Sequence, residues 1–240
     1  MKKMVYLVMG AFAVMTLTQC TKDGAVDTIN ALTLPKVMVT YQQKGAEITI
    51  NKCVFEQDKK DQTWIDLNGN LKKDEPTEEI ASGKKYVNSD SSELSILFGY
   101  IQTLTMKEQS IVGVAITNRY IKEVDFSGNK MGLLEIMNAQ KLEKIVCTGT
   151  DLDLIPLKIK LPEKEEAIES LHTLDCRGYK LIEIDQIVKK LPNRNSKGHG
   201  TVLHSGYALS EGLSEEKLQS LLTEKNWLLV DGRWVVPVGE

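Results

Sequence analysis

The residue with the most definite chemistry is Cys20. It closes Leu17-Thr-Gln-Cys20, behind Lys2, Lys3 and an apolar run from Met4 to Leu17. That run is too short to cross a bilayer as a helix. Cations, a short apolar core and then a cysteine read as an export signal whose thiol is expected to be acylated, since no other small-residue cleavage site follows the run; the alternative is a secretory peptide cut elsewhere, leaving a soluble periplasmic product. Residues 1–19 are then the signal peptide, and cleavage makes Cys20 the new N-terminus. Two or more acyl chains hold a protein stably at a membrane, where one binds reversibly.

A second cluster is Asp66-Leu-Asn68-Gly-Asn70-Leu-Lys72-Lys-Asp74. Oxygen side chains at alternate positions (Asp66, Asn68, Asn70, Asp74), with the Lys72 carbonyl available, are what a hard cation such as calcium takes. Leu71 stands where such a loop wants Gly, Thr77 where it wants a bidentate Glu, and two lysines sit inside. The first reading is therefore a polar turn, in which Asn68-Gly69 supplies positive φ; the calcium loop is the second.

No catalytic set emerges. His172, His199 and His204 are the three histidines. Neither a Gly-x-Ser-x-Gly turn, a His-Glu-x-x-His helix nor a Gly-rich phosphate loop is present. The expectation is a non-enzyme without a cofactor. Thirty Lys+Arg against 33 Asp+Glu give a net charge of −3. That lacks the basic surplus of a nucleic-acid binder. Four cysteines in 240 residues are too few for a disulfide framework.

The elements that position these residues fall into two parts. Residues 20–36 are small and polar and read as a tether. In 37–94, Val37–Tyr41 and Glu47–Cys53 alternate apolar and polar, separated by a turn at Gly45, and Gln62–Asp66 is a third short strand. This part is expected to be a small β-rich cap. From 95 to 240 the chain is periodic. Ile101, Ile121, Leu142, Leu171, His199 and Trp227 open six segments spaced 20, 21, 29, 28 and 28 residues apart. Leu171-His-Thr-Leu174-Asp-Cys176-Arg-Gly-Tyr179-Lys-Leu181 is typical. The pattern is that of leucine-rich repeats, with their 20–29-residue period. The expected fold class is α/β: a leucine-rich-repeat solenoid with a parallel sheet on its concave side. The short repeats should return in turns. Longer ones should return in helices over 162–170, 183–190 and 214–222, where Pro162 and Ser214 mark helix starts.

The register sorts side chains. Positions four and six of each segment face inward, and positions three, five and seven face the concave surface. The surface set is Thr103, Thr105, Lys107; Glu123, Asp125, Ser127; Lys144, Val146, Thr148; Thr173, Asp175, Arg177; Thr201, Leu203, Ser205; Leu229, Asp231, Arg233. It is mixed in charge, rich in Thr and Ser, and nearly free of the aromatic rings on which sugars stack, which favours a protein or peptide ligand. Met106, Phe126, Cys147, Cys176, His204 and Gly232 form an inward column. Its thiols read first as core residues, then as a 147–176 disulfide, then as ligands for zinc.

An acylated cysteine, Trp64-Ile-Asp-Leu-Asn-Gly-Asn70 and then Leu-Asp-Cys repeats resemble leucine-rich-repeat lipoproteins of Bacteroidetes, which are distantly similar to internalin-type surface proteins. Lys190-Leu-Pro-Asn-Arg194, Gly200-Thr-Val-Leu203, Leu213-Ser-Glu-Glu216 and Lys225-Asn-Trp227 fit as well. Across residues 37–240, the resemblance implies a β-rich cap and a curved solenoid. It also implies attachment to the outer membrane, surface-exposed or periplasm-facing, and a role in adhesion or protein-ligand recognition. The alternative is an accessory envelope lipoprotein that serves as an assembly surface. The family's turn-forming Asn ladder reads Gln109, Asn129, Thr150, Tyr179, Tyr207 and Val235 here, so most turns must be satisfied by other groups. The pattern sets no oligomeric state.

Overall fold

A computed structural model describes residues 31, 33–74, 76–90, 92–149, 157–179 and 182–232. The acylation motif, Thr150, Arg233 and Val235 lie outside the described residues. The fold is mixed α/β, with parallel and antiparallel sheets and few helices.

The N-terminal part contributes β1 (Lys36–Tyr41), β2 (Glu47–Thr49), β3 (Lys52–Phe55), β4 (Trp64–Asp66), β5 (Lys85–Val87) and β6 (Leu94–Phe98). The chain then alternates between two sheets. β7 (Ile101–Thr105), β9 (Glu123–Asp125), β11 (Lys144–Val146) and β13 (Thr173–Asp175) enter one; β8 (Ile111–Thr117), β10 (Leu133–Asn138) and β12 (Lys158–Lys160) enter the other. After β13 come helix α1 (Ile184–Val188), β14 (Gly200–His204), helix α2 (Glu215–Lys225) and β15 (Trp227–Asp231).

The seven-stranded sheet runs β15-β14-β13-β11-β9-β7-β3. Its strands from β7 onward are parallel, and β3 adds antiparallel to β7. The six-stranded sheet runs β12-β10-β8-β1-β6-β4. Between them lies one apolar core. Leu104, Val124, Ile145, Leu174 and Val202 face Val37, Val39, Leu97, Val114, Ile116, Leu134 and Ile136 in a single buried cluster. A smaller cluster covers the far side of the six-stranded sheet, where Met38, Ile96 and Ala115 join the Trp64–Phe98 stack, with centroids 4.5 Å apart.

Three expectations change. The short repeats return as strands β8 and β10, not as turns. Ile111-Val-Gly-Val-Ala-Ile-Thr117 is buried on both faces, so it lacks the alternation that marks a half-exposed strand. The segment expected as a separate cap shares both sheets and the main core with the repeats, through β1 on β8 and β3 on β7. Of the three return helices, 162–170 narrows to a 3-10 turn at Glu165–Ile168. Helix α2 forms as expected, with the Ser214 hydroxyl accepting from the Lys217 amide at 3.3 Å.

The turns after the repeat strands are closed by different groups. Buried Asn129 accepts from the Gln109 amide (2.8 Å) and donates to the Met106 and Phe126 carbonyls (2.8 and 2.9 Å). Tyr179 uses its hydroxyl instead, donating to the Asn129 carbonyl at 3.0 Å and accepting from the Met131 amide at 3.2 Å. Gln109 pairs its side-chain amide with both backbone groups of Thr49. Gly178 has φ +85°, and a Cβ there would collide with the Gly149 carbonyl, so glycine is required.

Candidate functional site: the outer face of the seven-stranded sheet

Strand pairing sets the outward side chains in rows. One row runs Thr103, Glu123, Lys144, Thr173, Thr201, Leu228. The next runs Thr105, Asp125, Val146, Asp175, Leu203, Val230. Parallel pairing repeats each position every ~4.8 Å across the sheet. Antiparallel β3 extends both rows, placing Val54 opposite Thr103 and Lys52 opposite Thr105. Lys107, Ser127, Thr148, Arg177 and Ser205 continue from the strand ends and are all at least partly exposed.

At the last strand the predicted register is wrong by one residue. Val202 pairs with Leu229, and His204 with Asp231. Leu228 and Val230, not Leu229 and Asp231, are therefore the outward pair, 49% and 36% exposed. The cause is Trp227, which is buried and donates its indole N–H to the Pro192 carbonyl at 2.8 Å. That anchor sets the phase, and a one-residue shift exchanges the two faces. Lys52, Val54, Leu228 and Val230 thus belong to the face but were missed. The signal for the last two was the bulky Trp227 as the inward residue.

The first row is polar in the middle and apolar at its edges, Val54 and Leu228. The second is mixed, with Lys52 at one edge, Val230 at the other, and Val146 and Leu203 among its polar residues. Lys107 Nζ meets Asp125 Oδ2 at 2.6 Å. Burial opposes ionisation of Asp125, but the Lys107 ammonium and the Ser127 hydroxyl and amide hold its carboxyl below the usual range. Asp175 is more buried than its expected outward position implies, because Arg177 folds over it. Nε and Nη2 reach the two carboxylate oxygens at 2.8 and 2.6 Å, a fork that raises the guanidinium pKa. The arginine stem also lies against Gly232, where a Cβ would collide with Cδ. Lys52 and Lys144 form no ion pair among the described residues. Together with Thr103, Thr105, Glu123 and Asp125 they border a depression of about 210 Å³.

The inward column holds through its first five rungs: Met106, Phe126, Cys147, Cys176 and His204 are all buried. Cys147 and Cys176 are free thiols that donate to the Asp175 and Leu203 carbonyls at 3.4 and 3.2 Å. The 147–176 disulfide is not formed, and burial pushes both thiols well up. His204 packs edge-on against Tyr207 at 5.0 Å.

In the 66–74 loop, the buried Asp66 carboxylate accepts from the amides of Asn68, Gly69 and Leu71 at 3.2, 2.7 and 3.0 Å. Desolvation raises its pKa against those bonds. Asn68 and Asn70 donate to Asp74 Oδ2 at 2.6 and 2.9 Å and accept from the backbone two residues on. Gly69 has positive φ and so does Leu71, at +60°. These side chains close a turn. Among the described residues no group of three or more His, Cys, Asp or Glu is placed to hold a metal.

No protein-family model, curated protein or solved structure matches the chain. The sheet face and its rows therefore carry the functional reading by themselves.

Proposed function

We propose that the chain is a lipid-anchored, leucine-rich-repeat-like binding protein of the bacterial envelope, resembling Bacteroidetes surface lipoproteins. Its sheet face recognises a protein or peptide by binding rather than by catalysis. The observation that carries this reading is the pair of unbroken outward rows, charged and hydroxylated in the middle and apolar at Val54, Leu228 and Val230. Such a face offers complementary charge for steering and apolar edges for contact area. Strand alternation supports a short solenoid. Each repeat adds one strand to the seven-stranded sheet and returns through a strand or a helix.

Capture from envelope and extracellular fractions by the full chain tests the proposal. Glu123→Lys with Lys144→Glu swaps two exposed neighbours and should leave the melting temperature unchanged while abolishing capture. Capture undiminished by the swap would refute the face.

A further inference from the structure

At one corner of the molecule three cations gather over two tyrosine rings. Tyr100, just after β6, and Tyr120, in the β8–β9 turn, have ring centroids 4.8 Å apart. Lys59 Nζ lies 5.7 Å from the Tyr100 centroid; Arg119 and Lys141 lie 5.0 and 5.4 Å from that of Tyr120. Arg119 also donates to the Tyr120 hydroxyl at 2.8 Å. Arg119 and Lys141 are exposed, and both tyrosines are partly so. None of the three cations forms an ion pair among the described residues. By contrast Lys60, Lys107, Lys160, Lys189, Lys190 and Lys225 all do. Asp58 and Asp61 flank Lys59 in the 3-10 helix Gln57–Gln62, yet neither pairs with it. Three like charges held on two rings repel one another, and an anion from outside relieves that repulsion.

The corner also lies beside the first described residues of the chain. The Gly99 amide donates to the Pro35 carbonyl at 2.7 Å, and Asn118 Nδ2 donates to the Gly99 carbonyl at 2.9 Å. Pro35, Tyr100 and the 118–120 turn are therefore tied together. Ala31 and Leu34 pack close by, against Phe98 and Trp64. Cys20 lies eleven residue steps before Ala31, a reach of at most ~40 Å. An acyl chain on Cys20 thus keeps this corner close to a bilayer.

We infer that the Tyr100–Tyr120 corner docks on an anionic phospholipid surface. Tyrosine rings suit the headgroup boundary, being apolar with a polar tip, while the lysines and arginine meet lipid phosphates. This rests on the lipid-anchor reading and adds an orientation, with one defined corner against the bilayer.

The test uses the full chain, matured by export and mixed with vesicles of phosphatidylcholine alone or with added phosphatidylglycerol. Lysines are acetylated under limiting reagent and read by mass spectrometry, and flotation of the chain is scored separately. Lys59 and Lys141 should react about fivefold more slowly on the anionic vesicles, an effect of the size expected for one basic residue at such a surface. Lys164 and Lys217, elsewhere on the molecule, should react equally on both. Arg119→Gln should restore much of the Lys141 reactivity. Labelling is scored on the floated fraction. Equal reactivity of Lys59 and Lys141 in a chain that floats with both vesicles therefore overturns the docking alone. Failure to float with either vesicle overturns the anchor on which the docking rests.

Discussion

Asp125 and Leu174 show how far a single side chain decides behaviour here. The Asp125 carboxyl is held low by Lys107 and Ser127. A group whose pKa is depressed by folding contributes stability that is present above its unfolded value, roughly pH 4, and lost as pH falls through the folded value. Asp125→Asn should therefore flatten the acid side of the stability curve, with chemical denaturation at several pH values as the check. An equally steep loss in the variant would mean that Lys107 and Ser127 do not hold the carboxylate. Leu174 is fully buried beside exposed-side Thr173. Leu174→Ala should cost about 2–5 kcal/mol, the usual range for such a cavity. Thr173→Ala should change stability by no more than about 0.5 kcal/mol. The reverse ranking would put the register wrong by one residue, as it is at β15 in the sequence reading.

Among the elements, the repeat strands were legible because their inward positions recur at a fixed offset. Leu104, Val124, Ile145 and Leu174 each follow three residues after the opening apolar residue, and all are buried. The return strands were not legible: β8 is apolar on both faces and resembles any buried run, and in β10 only Glu135 and the terminal Asn138 interrupt the apolar residues. The face's middle was legible for the same reason as the core. Its edges were not: β3 joins by antiparallel pairing across about fifty residues of chain, and β15 is phased by Trp227. The 66–74 loop could be read as a turn from Asn68-Gly69, but the capping of three amides by Asp66 could not. Because its ligand oxygens are already engaged, calcium should raise the melting temperature by less than about 1 °C. A rise of several degrees that Asp66→Ala removes would reverse that assignment.

At the scale of the whole molecule, the proposed function divides the work between two surfaces: a sheet face that would recognise a partner and a corner that would meet the membrane. The corner's role requires the chain to be held at a bilayer. Cys20→Ala should prevent acylation, seen as loss of the lipid mass on the N-terminal peptide; a lipid mass that persists would place the modification on another residue. The central claim is that the outer face of the seven-stranded sheet is where a protein partner sits. The most direct measurement is in-cell photocrosslinking from a probe residue at Thr173, in the middle of the first outward row, compared with one at Lys164 on the return side. A discrete protein adduct from position 173 that is missing from position 164 is the expected result. Adducts only from 164, or from neither position while the chain still captures a partner, would contradict it.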